Sequence, residues 1–140
     1  MNGNEQDPEF EQIIQQGVTH AVDMARENGV TLDFSDDSIN QVENLLAEFH
    51  LEYLKEQTEA GLHGVAMMLG AYIGEVIRKK GFGGIWARND PQMGDDSFPF
   101  YWRDQALFLY GWCVKRISDG EADNVAYKYK IFVLDKLKDV

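Results

Sequence analysis

Leu62-His-Gly-Val-Ala-Met-Met-Leu-Gly-Ala-Tyr-Ile-Gly-Glu-Val-Ile-Arg-Lys-Lys80 sets Leu62, Val65, Ala66, Leu69, Ile73, Val76 and Ile77 at steps of three and four residues. That period is a broad apolar face of an α-helix. Ala66, Gly70 and Gly74, four apart, run along one side of it as a strip of small residues. Each interior glycine costs about 1 kcal/mol of helix propensity relative to alanine, so close approach of another backbone is the expected compensation. The segment is expected to be the central helix of the fold. Thr58 is its expected cap, and the basic turn Lys79-Lys80 with Gly81 its stop.

Working back towards the N-terminus, Asp7-Pro8 opens a first helix, with aspartate as N-cap and proline where a missing N–H does no harm. Phe10, Ile14, Val18, Ala21, Val22 and Ala25 keep a helical period until Asn28-Gly29. Val30, Leu32 and Phe34 then alternate, as in a short extended linker. Ser35 fits the N-cap of a second helix, with Asp36 and Asp37 in its first turn and Phe34 placed to staple onto Ile39. Ile39, Val42, Leu46, Phe49 and Tyr53 form its inner face. Glu43, Glu48, Glu52 and Glu56 fall elsewhere on the wheel and are expected to form an acidic outer face.

Beyond Lys80 the helical spacing stops. Gly81, Gly83, Gly84, Pro91, Gly94 and Pro99 interrupt the chain. Ile85–Arg88 reads as a short strand. Phe98–Arg103 reads as an edge strand, because Pro99 cannot donate to a ladder. Leu107–Ile117 is apolar on both parities at its start and reads as the central strand, closed by Asp119-Gly120. Asn124 is placed to cap a last helix with Val125, Tyr129, Phe132 and Val133 inward. The strand-forming run Lys128–Val133 keeps a strand as the rival reading of residues 125–137. The expected class is α+β: three N-terminal helices, a small antiparallel sheet of about three strands, and a C-terminal helix. One domain, 1–140, is expected, with 1–6 disordered, 7–80 helical and acidic, and 81–140 holding the sheet and closing helix.

Charge is distributed unevenly. Residues 1–60 hold fourteen Asp and Glu against Arg26 and Lys55, whereas residues 61–140 hold ten against eleven Lys and Arg. The net charge of −11 therefore lies in the N-terminal part. A sequence pI near 4.5 argues against nucleic acid as a partner, since phosphate binding rests on Lys and Arg. The N-terminus has no basic stretch followed by an apolar one, as a secretory signal has, and no run approaches the length of a membrane span. A cytoplasmic location and no membrane partner are expected. The lone Cys113 excludes an internal disulfide and any cysteine zinc cluster.

Leu69-Gly-Ala-Tyr-Ile-Gly-Glu75, Gly83-Gly-Ile-Trp86 and Trp112-Cys-Val-Lys-Arg-Ile117 with Gly120 together resemble a pattern in small uncharacterised bacterial domains. There a glycine-bearing helix leads through a Gly-Gly-x-Trp turn into a short antiparallel sheet and a closing helix. The resemblance spans roughly residues 60–135, implies an α+β fold and implies no activity. In size and acidity the chain also resembles bacterial immunity proteins, which block toxin enzymes by binding them.

Candidate chemistry is sparse. Glu75 sits on the glycine-bearing helix near the Gly83-Gly84 turn, but an ion pair with Arg78 or Lys79 accounts for it equally well. His20, His50 and His63 fall on three separate helices with no paired ligand spacing, so no metal is expected. Cys113 beside Lys115 and Arg116 has the setting of an activated thiol, yet a small apolar core residue is the simpler reading. Gly81-Phe-Gly-Gly84 follows a helix instead of opening one and lacks the Lys-Ser/Thr end of a phosphate loop. The aromatic run Phe98 to Trp112 is core, or in part an interface patch. Solubility alone explains many surface carboxylates, but like charges four apart (Glu48-Glu52, Glu52-Glu56) cost a few tenths of a kcal/mol each.

Two functions follow. The first is a protein-binding module, of immunity or inhibitor type, in which Asp36, Asp37, Glu43, Glu48, Glu52 and Glu56 meet a basic surface on another protein. The second is a small-molecule binder or enzyme with a pocket between the Gly70–Gly74 helix and the aromatic sheet. Its lining would be Tyr72, Glu75, Trp86, Arg88, Trp112 and Lys115. No cofactor is implied by either. Self-association through the edge strand Phe98–Arg103 is a third possibility.

Overall fold

The structure is a computed structural model that describes residues 7–138; the expected disorder of residues 1–6 lies outside them. Helix α1 (Pro8–Glu27) starts as its sequence dictates, with the Asp7 carboxylate accepting the Phe10 N–H at 3.1 Å. Its buried side chains, Phe10, Ile14, Val18, Ala21 and Ala25, lie on one face. Helix α2 (Ser38–Glu56) begins two residues later than expected, because Ser35–Asp37 form a preliminary turn. Ser35 still acts as a cap does: its Oγ accepts the Ser38 N–H at 3.2 Å. The ring of Phe34, expected against Ile39, lies on Tyr72 with centroids 4.9 Å apart.

Helix α3 (Leu62–Arg78) is the central helix and packs against both α1 and the later helix α4 (Leu109–Asp119). Its cap is Gly61, not Thr58, whose Oγ1 accepts the Ala60 N–H in the turn before. The glycine strip has the expected purpose. A Cβ on Gly70 would stand 3.0 Å from the Tyr110 backbone nitrogen, and one on Gly74 would stand 2.7 Å from the Trp86 ring. Two main chains and an indole thus come closer than any side chain would permit, and their packing offsets the helix propensity lost at both glycines.

Three short strands follow: β1 (Ile85–Trp86), β2 (Phe100–Trp102) and β3 (Gln105–Leu107), antiparallel in the order β1-β2-β3. Phe100 faces Trp86 on one side and Leu107 on the other. The class is α+β as expected, but two strands were misplaced. Phe98–Arg103 supplies the middle strand, not an edge. Pro99 is tolerated just before it because a proline carbonyl still accepts, here from the Ala87 N–H at 3.0 Å. Leu107–Ile117 is not the central strand: only its start belongs to β3, and Leu109–Asp119 is helix α4. The buried residues of α4 are Leu109, Trp112, Cys113, Arg116 and Ile117, a helical period in a run of strand-forming residue types. Gly120, at φ +98°, ends this helix instead of turning a strand.

Asn124 caps the closing helix as expected, its side chain accepting the Tyr127 N–H at 3.0 Å. Helix α5 (Val125–Tyr129) runs through a π-helical turn, Lys130–Leu134, into α6 (Asp135–Leu137). Residues 125–137 are helical, which settles the rivalry with a strand. Val125, Tyr129 and Val133 point inward; Phe132, expected inward, is partly exposed and leans on Trp112. Arg103 and Gln105, in and beside the β2–β3 turn, donate to the Lys136 and Phe132 carbonyls and tie the hairpin to this helix.

Candidate functional site

The six carboxylates expected on the acidic face divide into two groups. Glu43 is not on the surface: it is 7 % exposed and takes the Arg116 Nε at 2.8 Å and the Val125 N–H at 3.0 Å. A charged pair that deep joins α2, α4 and α5 and has no field to offer a partner. Asp36 is also engaged, with Lys80 at 2.6 Å and the Tyr129 hydroxyl at 2.5 Å. Burial raises its pKa, and these two hydrogen bonds outweigh that and hold it below the usual aspartate range. Asp37 is exposed beside it, on a shallow cleft of about 610 Å³ that also holds Lys80, Lys130 and Lys138. Positive charge there cancels the acidic field.

Glu48, Glu52 and Glu56 remain. All three are exposed, lie one turn apart on the C-terminal half of α2, and form no ion pair among the described residues. They form a ridge that borders two grooves, Glu52 lining both. One groove, about 130 Å³, runs between α2 and the start of α3 and is lined by Phe49, Tyr53, Leu62 and Val65, with Ile117 of α4 below and Glu52 and Glu56 along the rim. The other, about 490 Å³ and open, holds Leu45, Phe49 and Leu51 beside Glu48 and Glu52. Leu51 and Leu54 are 65 % and 53 % exposed, although both are large and apolar.

Two histidines sit close to this surface. His50 Nδ1 lies 2.6 Å from the Ile117 carbonyl near the C-terminal end of α4, and since a carbonyl only accepts, that nitrogen carries the proton. The bond ties α4, which carries the groove floor, to α2. His63 Nδ1 meets the Tyr110 hydroxyl at 2.5 Å, and its other nitrogen lies 3.5 Å from Glu59. Among the described residues no three His, Cys, Asp or Glu side chains are grouped as metal ligands. No helix there is long and apolar enough to cross a membrane.

The side chains expected to line a ligand pocket do not converge. Trp86 fills the notch at Gly74, and α4 lies against Gly70, so neither glycine leaves an opening. Tyr72 is fully buried: its hydroxyl donates to Ser38 Oγ at 2.7 Å and accepts the Phe34 N–H at 2.8 Å. Burial raises its pKa, with the two hydrogen bonds opposing. Glu75 pairs with Arg78 at 3.3 Å, while Arg78 Nε, not Glu75, bonds the turn through the Gly84 carbonyl at 3.1 Å. Arg88 lies 3.5 Å from Asp7 and over the Phe10 ring, Trp112 packs on Phe132, and Lys115 stands exposed on α4. Cys113 is fully buried on α4, and burial pushes its thiol pKa far up, the opposite of activation.

Reasoning from sequence missed the grooves and the exposed Leu51 and Leu54. The signal was present: both leucines fall outside the inner face Ile39, Val42, Leu46, Phe49 and Tyr53 and interleave with the glutamates. Comparison with protein-family models, curated proteins and solved structures finds no match.

Proposed function

We propose that this chain is a protein-binding module that covers a basic surface of a partner, in the manner of an inhibitor or immunity protein, through the Glu48–Glu56 ridge and its two grooves. The observation that carries the reading is the contrast in charge management. Glu11, Asp36, Glu43, Glu75, Glu121, Asp123 and Asp135 have cationic partners, and among the carboxylates without an ion pair in the described residues Glu48, Glu52 and Glu56 stand in i,i+4 succession, where they repel one another beside exposed leucines. A basic partner relieves that repulsion.

Magnitudes assign the roles. An exposed ion pair contributes at most about 1 kcal/mol, so three sum to about 3 kcal/mol, less than the roughly 4 kcal/mol of a millimolar complex. The glutamates therefore govern encounter and orientation. Affinity needs apolar anchors at about 1.5–3 kcal/mol per buried side chain, which the grooves and Leu51 and Leu54 supply.

The reading is tested by capture from the lysate of the chain's own source with wild type and with the E48Q/E52Q/E56Q variant, washed at low and high salt. Recovery of one dominant basic protein by wild type, reduced by salt and by the triple substitution, supports it. Equal recovery by both proteins, or none, refutes it.

A further inference from the structure

The groove between α2 and α3 has helical walls, and this limits the backbone conformation of an occupant. Phe49 and Tyr53 stand one turn apart on α2, Leu62 and Val65 lie in the first turn of α3, and no residue of β1, β2 or β3 contributes to the lining. Several of the main-chain carbonyls along or beside it are already engaged. Tyr53 accepts the Gln57 N–H at 2.8 Å, Glu59 that of Leu62 at 3.0 Å, Gly61 that of Val65 at 3.1 Å, and Ile117 the His50 ring at 2.6 Å.

An extended segment pressed into these walls would take its own N–H and C=O groups out of water without finding a sheet edge to pair with. Each such group left unpaired is unfavourable. A helix brings its backbone hydrogen bonds with it and presents only side chains. The rim adds the second requirement, because Glu52 and Glu56 repeat with the rise of one helical turn, about 6 Å. Lys or Arg side chains four apart on a helix repeat at the same interval.

Resting on the docking reading above, we propose that the partner presents a basic amphipathic helix to this groove. Two apolar side chains one turn apart sit between Phe49 and Tyr53 on one side and Leu62 and Val65 on the other. Lys or Arg on the adjoining turns meet Glu52 and Glu56.

Two labelled 14-residue peptides of identical Leu, Lys and Ala composition test this with the full chain. One places Leu and Lys in helical register and the other in strict alternation; anisotropy gives affinity and circular dichroism gives helicity. The helical-register peptide is expected to bind at least tenfold more tightly, to gain helicity on binding, and to lose tenfold or more against the E48Q/E52Q/E56Q variant. Equal binding of both peptides, with both weakened by the triple substitution, overturns the helical occupant and leaves the docking surface standing. Binding that ignores the substitution, or no binding of either peptide at millimolar concentration, overturns both.

Discussion

Glu43 and Arg116, 73 residues apart in the chain, form a buried ion pair at 2.8 Å in which neither side chain is more than a tenth exposed. Arg116 also reaches the exposed Glu121 at 3.1 Å, and its Nη1 has no hydrogen-bond partner among the described residues. Removing one member of such a pair strands the other charge away from water. Glu43→Gln is expected to destabilise the fold by about 3 kcal/mol, whereas Glu43→Met with Arg116→Met costs much less. Urea midpoints of the single and double variants measure this. If the double variant were the less stable, the pair would be a net stabiliser and not mainly a constraint on how α2, α4 and α5 meet.

Gly64 and Gly74 lie on the same helix, ten residues apart, and are expected to respond oppositely to alanine. A Cβ on Gly64 meets nothing within 4 Å, so Gly64→Ala should stabilise by up to about 1 kcal/mol through helix propensity. A Cβ on Gly74 meets the buried Trp86 ring at 2.7 Å, and Trp86 has nowhere to move. Gly74→Ala should destabilise by about 1–3 kcal/mol. Thermal melting of the two variants gives the signs; the same sign for both would mean that the notch does not hold Trp86.

Acid should loosen the α1–α3 contact. Glu11 takes both terminal nitrogens of Arg78, at 2.7 and 2.6 Å, and this pair lowers its pKa although burial opposes it. The Asp36 pKa is lowered too, its hydrogen bonds from Lys80 and Tyr129 outweighing the burial that raises it. A carboxylate depressed in the folded state stabilises fully above its unfolded value, about 4, and less as pH falls through the folded value. Wild type should therefore lose stability below about pH 4. In Glu11→Gln the loss at neutral pH is about 1–2 kcal/mol and the decline into acid is shallower. Denaturant midpoints at pH 6 and pH 3 check both.

Cys113 should be silent in the folded protein. Burial raises its thiol pKa far above the usual range, and it packs inside α4. An aromatic disulfide reagent at pH 8 is expected to titrate no thiol in native protein and one after denaturation. Rapid native reaction would show that α4 opens.

The helices of the N-terminal half could be read from the sequence because period and punctuation agree there: Asp7-Pro8, Asn28-Gly29 and the Gly70-Gly74 strip each have a local physical cause. Helix α4 could not be read so easily. Leu109, Trp112, Cys113, Arg116 and Ile117 keep the helical period, but Phe108, Tyr110, Trp112, Cys113 and Val114 favour strands, and Phe108 is no cap. Tertiary packing against α3 overrides that preference. At the surface, the ridge Glu48, Glu52 and Glu56 was visible as spacing. The burial of Glu43 was not, because it depends on Arg116, which the sequence reading placed in a strand.

Whether the outer face of α2 is the docking surface is tested most directly by amide hydrogen exchange with the captured partner. Added protection confined to residues 45–65, and absent in the E48Q/E52Q/E56Q variant, is the predicted result. Protection centred instead on the Asp37–Lys130 cleft or on the β2–β3 hairpin, with residues 45–65 unchanged, would contradict it.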